Sequence, residues 1–123
     1  MSAHTATMTV SSIAPGTAVI RIAGDVTTAC EGTLMSAHEQ ATDAGARLVV
    51  LDFSEMEYMN SGGIGMLVTL LVRGQRRQQQ LAAVGLSEHY RQIFELTRLD
   101  EAIALHGDVS EAIAGDGHGR STP

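Results

Sequence analysis

Three stretches that follow one another without a break decide the fold: RLVVLDF (Arg47–Phe53), SEMEYMN (Ser54–Asn60) and SGGIGMLVTLLVRGQRRQ (Ser61–Gln78). The first is a near-continuous apolar run of strand length, the pattern of a central parallel strand covered on both faces. The second is polar and reads as a connection. The third becomes helical from about Ser61, with apolar residues almost all the way round until the arginines begin, which predicts a helix buried on most sides. A buried strand passing through a short connection into a buried helix is half of a β-α-β unit, so the chain is expected to be α/β.

Working outward, Thr5–Ile13 is rich in β-branched residues and reads as a strand, and Ala14-Pro15-Gly16 as a turn. TAVIRIAG (Thr17–Gly24) is then a second strand, antiparallel to the first. The segment from Thr27 reads as a helix capped by Thr27 or Thr28, with Leu34, Met35, His38 and Ala41 at helical spacing before Gly45 stops it. Downstream, LAAVG (Leu81–Gly85) is a short strand, and Ser87 caps a helix that places Tyr90, Ile93, Phe94 and Thr97 on one face. Ala102–Gly107 is a last strand and Asp108–Gly115 a last short helix. The order β-β-α-β-α-β-α-β-α requires a mixed central sheet with helices packed on it. One domain over residues 1–115 is expected, with a disordered tail at 116–123.

Composition excludes several kinds of chemistry. The 123 residues carry a net charge of −6, and all eight basic residues are arginines. Without lysine there is no P-loop phosphate ligand and no Schiff-base nucleophile. Cys30 is the single cysteine, so neither an intramolecular disulfide nor a cysteine zinc site is expected, and the five scattered histidines have no ligand spacing. Four aromatic residues and an acidic balance argue against nucleic acid. The N-terminus lacks the charge and apolarity of a signal peptide, and Ile64–Val72 is about half a membrane span. The expectation is a soluble cytoplasmic domain without membrane partner, metal or cofactor.

Asn60-Ser61-Gly62-Gly63 is the candidate site. Functional groups in open α/β sheets gather beyond the carboxyl ends of the strands, and Ser61 falls there. Its hydroxyl can cap the helix, while Gly62 and Gly63 leave their N–H groups open to an oxyanion. A phosphate on Ser61 would add about −1.5 to −2 charges at the positive end of a helix. The plain alternative is a structural cap with glycines that only permit close packing. Other patterns fail: Met59 stands where a serine-hydrolase elbow needs glycine, and Val68 where a dinucleotide loop needs its third glycine. Asp52 reads as structural, bonding nearby amides, and Asp25 as a cap or a partner contact. Arg73, Arg76 and Arg77 read as favourable charge at a helix C-terminus, or as a rim contact for an acidic partner. His89 reads as solvent-facing.

The run LVVLDFSEMEYMNSGGIGMLVTLL, with GDVT upstream and GLSEHYRQIFELTRLDEAIAL downstream, resembles the STAS domains of bacterial anti-sigma factor antagonists over about Thr5–Ala114. The resemblance implies a non-enzymatic partner-switching protein. Its partner would be an anti-sigma factor that is also a GHKL-type serine kinase, opposed by a phosphatase, and Ser61 would be the phosphoacceptor. The implied contact set is Asp25, Thr27, Met59, Asn60, Ser61, Gly62, Gly63 and Ile64. Two positions depart from that family's pattern: Asn60 replaces the usual Asp before the serine, and Thr27 replaces the second acid of the upstream loop. Each lost carboxylate is worth on the order of 1–4 kcal/mol of repulsion toward a phosphate a few ångströms away. The alternatives are a constitutive STAS scaffold without a switch, and a small sensor that binds an anion or nucleotide at the helix N-terminus.

Overall fold

A computed structural model describes residues 5–121, with side chains through 115. The tail expected at 116–123 lies beyond the described side chains, and residues 122–123 lie outside the described residues altogether. The strands are β1 (Thr7–Ala14), β2 (Thr17–Val26), β3 (Leu48–Met59), β4 (Gln80–Val84) and β5 (Ile103–His106). The helices are α1 (Glu31–Asp43), α2 (Ser61–Arg76), α3 (Glu88–Leu96) and α4 (Val109–Ser121), in the order expected from the sequence. The sheet order is β1-β2-β3-β4-β5, with the first pair antiparallel and the remainder parallel.

The parallel strands add in one direction, and right-handed crossovers then place α1, α2 and α3 on the same face of the sheet. Val49, Leu51 and Phe53 of β3 pack toward that face, with Leu34 of α1, Leu67 and Leu70 of α2 and Phe94 of α3. The alternate residues Leu48 and Val50 point the other way and meet Ala112 of α4. This is why the apolar run of β3 does not alternate with polar residues: both of its faces are covered.

Three features depart from expectation. β3 does not stop at Phe53 but continues to Met59, because β2 also runs on, to Val26, and keeps pairing: Ala23 with Glu55, Gly24 with Met56, Asp25 with Tyr58 and Val26 with Met59. On its other side β3 loses its partner after Asp52–Val84, where Gly85 turns at φ +78 against the backbone of Ser54. A side chain at Gly85 would collide with Ser54, so the turn requires glycine. Second, α1 is preceded by a separate 3₁₀ turn, Thr28–Cys30, whose N-cap Thr27 accepts a hydrogen bond from the Ala29 N–H at 3.2 Å. Third, α2 is not buried on most sides. Gly63, Met66, Leu67, Leu70 and Gly74 face inward, whereas Val68 and Val72 are 44% and 42% exposed. Among the described residues no helix is long and apolar enough to cross a membrane.

Candidate functional site

The carboxyl ends of β2 and β3 lie side by side and bring the two sequence-identified loops together. The Asn60 N–H donates to the Val26 carbonyl at 3.3 Å, which fixes the start of α2 against the end of β2. Asn60 is itself the N-cap: its backbone is extended, and its Oδ1 accepts from the Gly63 N–H at 3.0 Å. This corrects the cap assignment made from sequence. Asn and Ser are equally good caps, and the extended backbone of Asn60 leaves it outside the helix, so that Ser61 is the first helical residue instead. Its side chain is exposed and makes no hydrogen bond among the described residues.

The two glycines have different tasks. A Cβ on Gly63 would collide with the Val26 carbonyl oxygen and lie 2.8 Å from Met59 Cγ, so α2 can reach β2 only because the position is glycine. Its N–H is already bound by Asn60, and it is therefore not an open anion donor as the sequence suggested. A Cβ on Gly62 would lie 2.7 Å from the Thr28 Cγ2 methyl, which places the 3₁₀ turn directly against the helix start. The Ile64 N–H is used as well, donating to the Asn60 carbonyl at 3.1 Å.

The structure thus assembles Asp25, Thr27, Met59, Asn60, Ser61, Gly62, Gly63 and Ile64 at one end of the sheet. They are not equally accessible. Ser61 is exposed, Asp25, Thr27, Asn60, Gly62 and Ile64 are half-buried, and Met59 and Gly63 are buried. Asp25 lies within β2 beside Tyr58 and its carboxylate caps nothing among the described residues. Asp52 has the expected structural role: Oδ1 accepts from the Ser54 N–H at 3.0 Å and from the Ser54 hydroxyl, and Oδ2 lies 3.5 Å from Arg21 Nε. His89 is exposed, with its ring edge-on to Tyr90 at 4.8 Å. Among the described residues no group of three or more His, Cys, Asp or Glu is placed to hold a metal ion.

Two features of the site were not read from sequence. The Tyr90 hydroxyl of α3 accepts from the Met59 N–H at 3.0 Å, satisfying the edge of β3 just before the Asn60 cap. The available signal was a tyrosine, rather than phenylalanine, on a packed helix face, since a part-buried phenol normally has a partner. The second is which residues make up the exposed face of α2, a face that the sequence reading expected to belong to the surface without naming them. Ser61, Gly65, Val68, Thr69 and Val72 recur at helical spacing and are all exposed, and Tyr58, 48% exposed, lies on the strand that leads into them.

Comparison with known proteins agrees with this architecture. The family model described as "Mlab, STAS domain" matches residues 10–110. The anti-sigma-B factor antagonist of Listeria monocytogenes is 34% identical over 55 residues, which are 45% of this chain and 48% of that protein. The chain therefore aligns with about half the length of that relative. An anti-sigma factor antagonist from Mycobacterium paratuberculosis has the same fold, with a TM-score of 0.73 and 19% identity over 89% of this chain and 92% of that one. So has the Bacillus cell fate determinant SpoIIAA in its phosphorylated form, with a TM-score of 0.67 and 17% identity over 87% of this chain and 96% of that one. With the match to the family model spanning most of its length, this chain belongs to the STAS domain family.

Proposed function

We propose that the protein is an anti-sigma factor antagonist that acts by binding rather than by catalysis and is switched by phosphorylation of Ser61. The partner in this reading is an anti-sigma factor with a GHKL-type serine kinase activity, and a phosphatase resets the switch. The docking surface comprises the end of β2 with the Thr27 turn, the Met59–Gly65 segment and the exposed stripe of α2.

The observation that carries the proposal is the division of labour at the helix start. Asn60 supplies the cap and Gly63 the close packing, which leaves the exposed Ser61 hydroxyl with no structural duty. A free hydroxyl on the first helical residue is open to a kinase. Its phosphate would be stabilised by the helix dipole and so would not unfold the domain. At a desolvated interface the same added charge, on the helix side that also carries apolar Val68 and Val72, opposes docking. The likeness to the antagonist of Listeria monocytogenes supports the same reading, as does the likeness of fold to a protein known in a phosphorylated form.

The test is to map phosphopeptides of the protein from its native cells and to isolate partners with wild type and Ser61→Glu. A phosphate on Ser61, with a kinase-type partner retained by wild type and lost by Ser61→Glu, is the expected result. The neutral side chains of Asn60 and Thr27 favour one second reading, a constitutive scaffold. Ser61 unmodified under all growth and stress conditions, with a partner still bound, would select it.

A further inference from the structure

α2 is a 16-residue helix, so its far end lies about 24 Å from its start. There it closes on Arg73 and Arg76, with Arg77 as C-cap. The three arginines, with His38, Glu39 and Thr42 of α1, line a cleft of about 210 Å³. Each of the two helices runs back to a parallel strand, so their C-termini meet at the end of the sheet opposite Ser61.

The cleft has an ordered polar base. His38 is 4% exposed, and its Nε2 lies 2.7 Å from Gln79 Oε1. Gln79 Nε2 donates to Thr42 Oγ1 at 2.9 Å and to the Ala46 carbonyl at 3.1 Å. Those two acceptors orient the amide, so Oε1 faces the imidazole and His38 Nε2 is the donor. This network uses none of the arginine N–H groups. The ion pairs among the described residues are Arg21–Asp52 and Arg98–Glu101, and neither involves Arg73, Arg76 or Arg77.

Charge around the two helix C-termini is close to balanced overall but unevenly placed. Two helix C-termini carry roughly half a negative charge each, and with Glu39 and Asp43, the last residue of α1, they total about −3 against three guanidinium groups. Within the lining itself, however, three guanidinium groups meet one carboxylate, and no ion pair among the described residues engages them. Guanidinium groups match phosphate oxygens in bidentate geometry. Glu39, the one carboxylate in the lining, repels a bare anion but accepts a hydrogen bond from a ligand hydroxyl.

We propose that this cleft binds a hydroxyl-bearing phosphomonoester, of the sugar phosphate class, with Arg73, Arg76 and Arg77 on the phosphate and Glu39 on a hydroxyl. The site is distinct from the Ser61 surface and does not depend on it. To test it, the amide resonances of the full chain carrying Ser61→Ala are followed by NMR during titration with ribose 5-phosphate, inorganic phosphate and, at matched ionic strength, chloride. The expected result is saturable shifts around Arg73–Arg77 and His38–Thr42, with ribose 5-phosphate binding more tightly than phosphate and chloride producing no such shifts. Arg73→Gln/Arg76→Gln, both exposed positions, should weaken the binding about tenfold or more while the remaining spectrum stays unchanged. Glu39→Gln should remove the preference for the sugar phosphate. Equal shifts with chloride, shifts that do not saturate, or undiminished binding by the double variant would overturn the proposal.

Discussion

The two halves of β3 share one backbone and little else. Leu48–Phe53 is hydrogen-bonded to β2 on one side and, through Asp52, to β4 on the other, and every residue in it is buried. Ser54–Met59 keeps only β2 as a strand partner and exposes Ser54, Glu55, Glu57 and Tyr58. The first half holds the domain together. The second carries the chain out past the end of β4 and delivers Asn60 and Ser61 to a surface. A strand buried on two faces and two edges makes fold, whereas its half-paired extension makes a site.

Substitution at matched positions should separate the two halves most sharply. Leu51 is fully buried between β2 and β4, and Leu51→Ala should cost about 2–5 kcal/mol of unfolding free energy through lost transfer energy and a residual cavity. Tyr58→Ala, on the exposed half, should change stability by no more than about 0.5 kcal/mol. Urea denaturation of the two variants against wild type measures both. A loss of several kcal/mol at Tyr58 would mean that the extension is part of the cooperative core.

The same contrast explains what was legible in the sequence. The apolar run LVVL identified the central strand because burial on both faces leaves a compositional mark. SEMEYM leaves none, since its strand conformation comes from the continued pairing of Ala23–Val26 and not from its own side chains. Periodicity marked α2, but its sequence is apolar on the outward side too, at Val68 and Val72, so hydrophobicity alone overstated its burial. For the site, the glycines and the serine were visible as a motif, but the assignment of the cap was a matter of one residue of register. Asn60 and Ser61 are both good caps, and only the backbone shows which one stands outside the helix. The contact between Tyr90 and Met59 joins residues 31 apart, and no local pattern reports it.

Glycines at the start of α2 give a test in which the sign changes. Gly63→Ala drives a methyl into the Val26 carbonyl and Met59, and relief requires the helix to lift from β2, at a cost of about 1–3 kcal/mol. Gly65→Ala, two residues on, meets nothing within 4 Å and should stabilise by about 0.5–1 kcal/mol through helix propensity. Thermal melting distinguishes them by direction. If both variants stabilise, the close approach of α2 to β2 is not a constraint on the fold.

Tyr90→Phe examines the link between α3 and the half-paired strand. The phenyl ring retains the packing, but the Met59 N–H loses its acceptor, which should cost about 0.5–1.5 kcal/mol. The local consequence is more telling than the global one: hydrogen exchange at the Met59 amide should accelerate beyond what the change in overall stability explains. Unchanged exchange at Met59 would mean that water replaces the phenol at no cost, and that α3 does not brace the site.

Asn60 tests whether cap and switch are separable, as the proposed function requires. Asn60→Ala removes the acceptor for Gly63 N–H and should destabilise by about 1 kcal/mol. Asn60→Asp keeps that acceptor and adds a charge that favours a helix N-terminus by about 0.3–1 kcal/mol, so it should be as stable as wild type or slightly more so. Ser61→Ala should be close to neutral, within about 0.5 kcal/mol, because the hydroxyl bonds to nothing in the fold. The order of stability in denaturant, with Asn60→Asp highest and Asn60→Ala lowest, would place the cap on Asn60 alone. A Ser61→Ala loss as large as that of Asn60→Ala would return the cap to the serine, and the hydroxyl would then be a structural group instead of a free acceptor for phosphate.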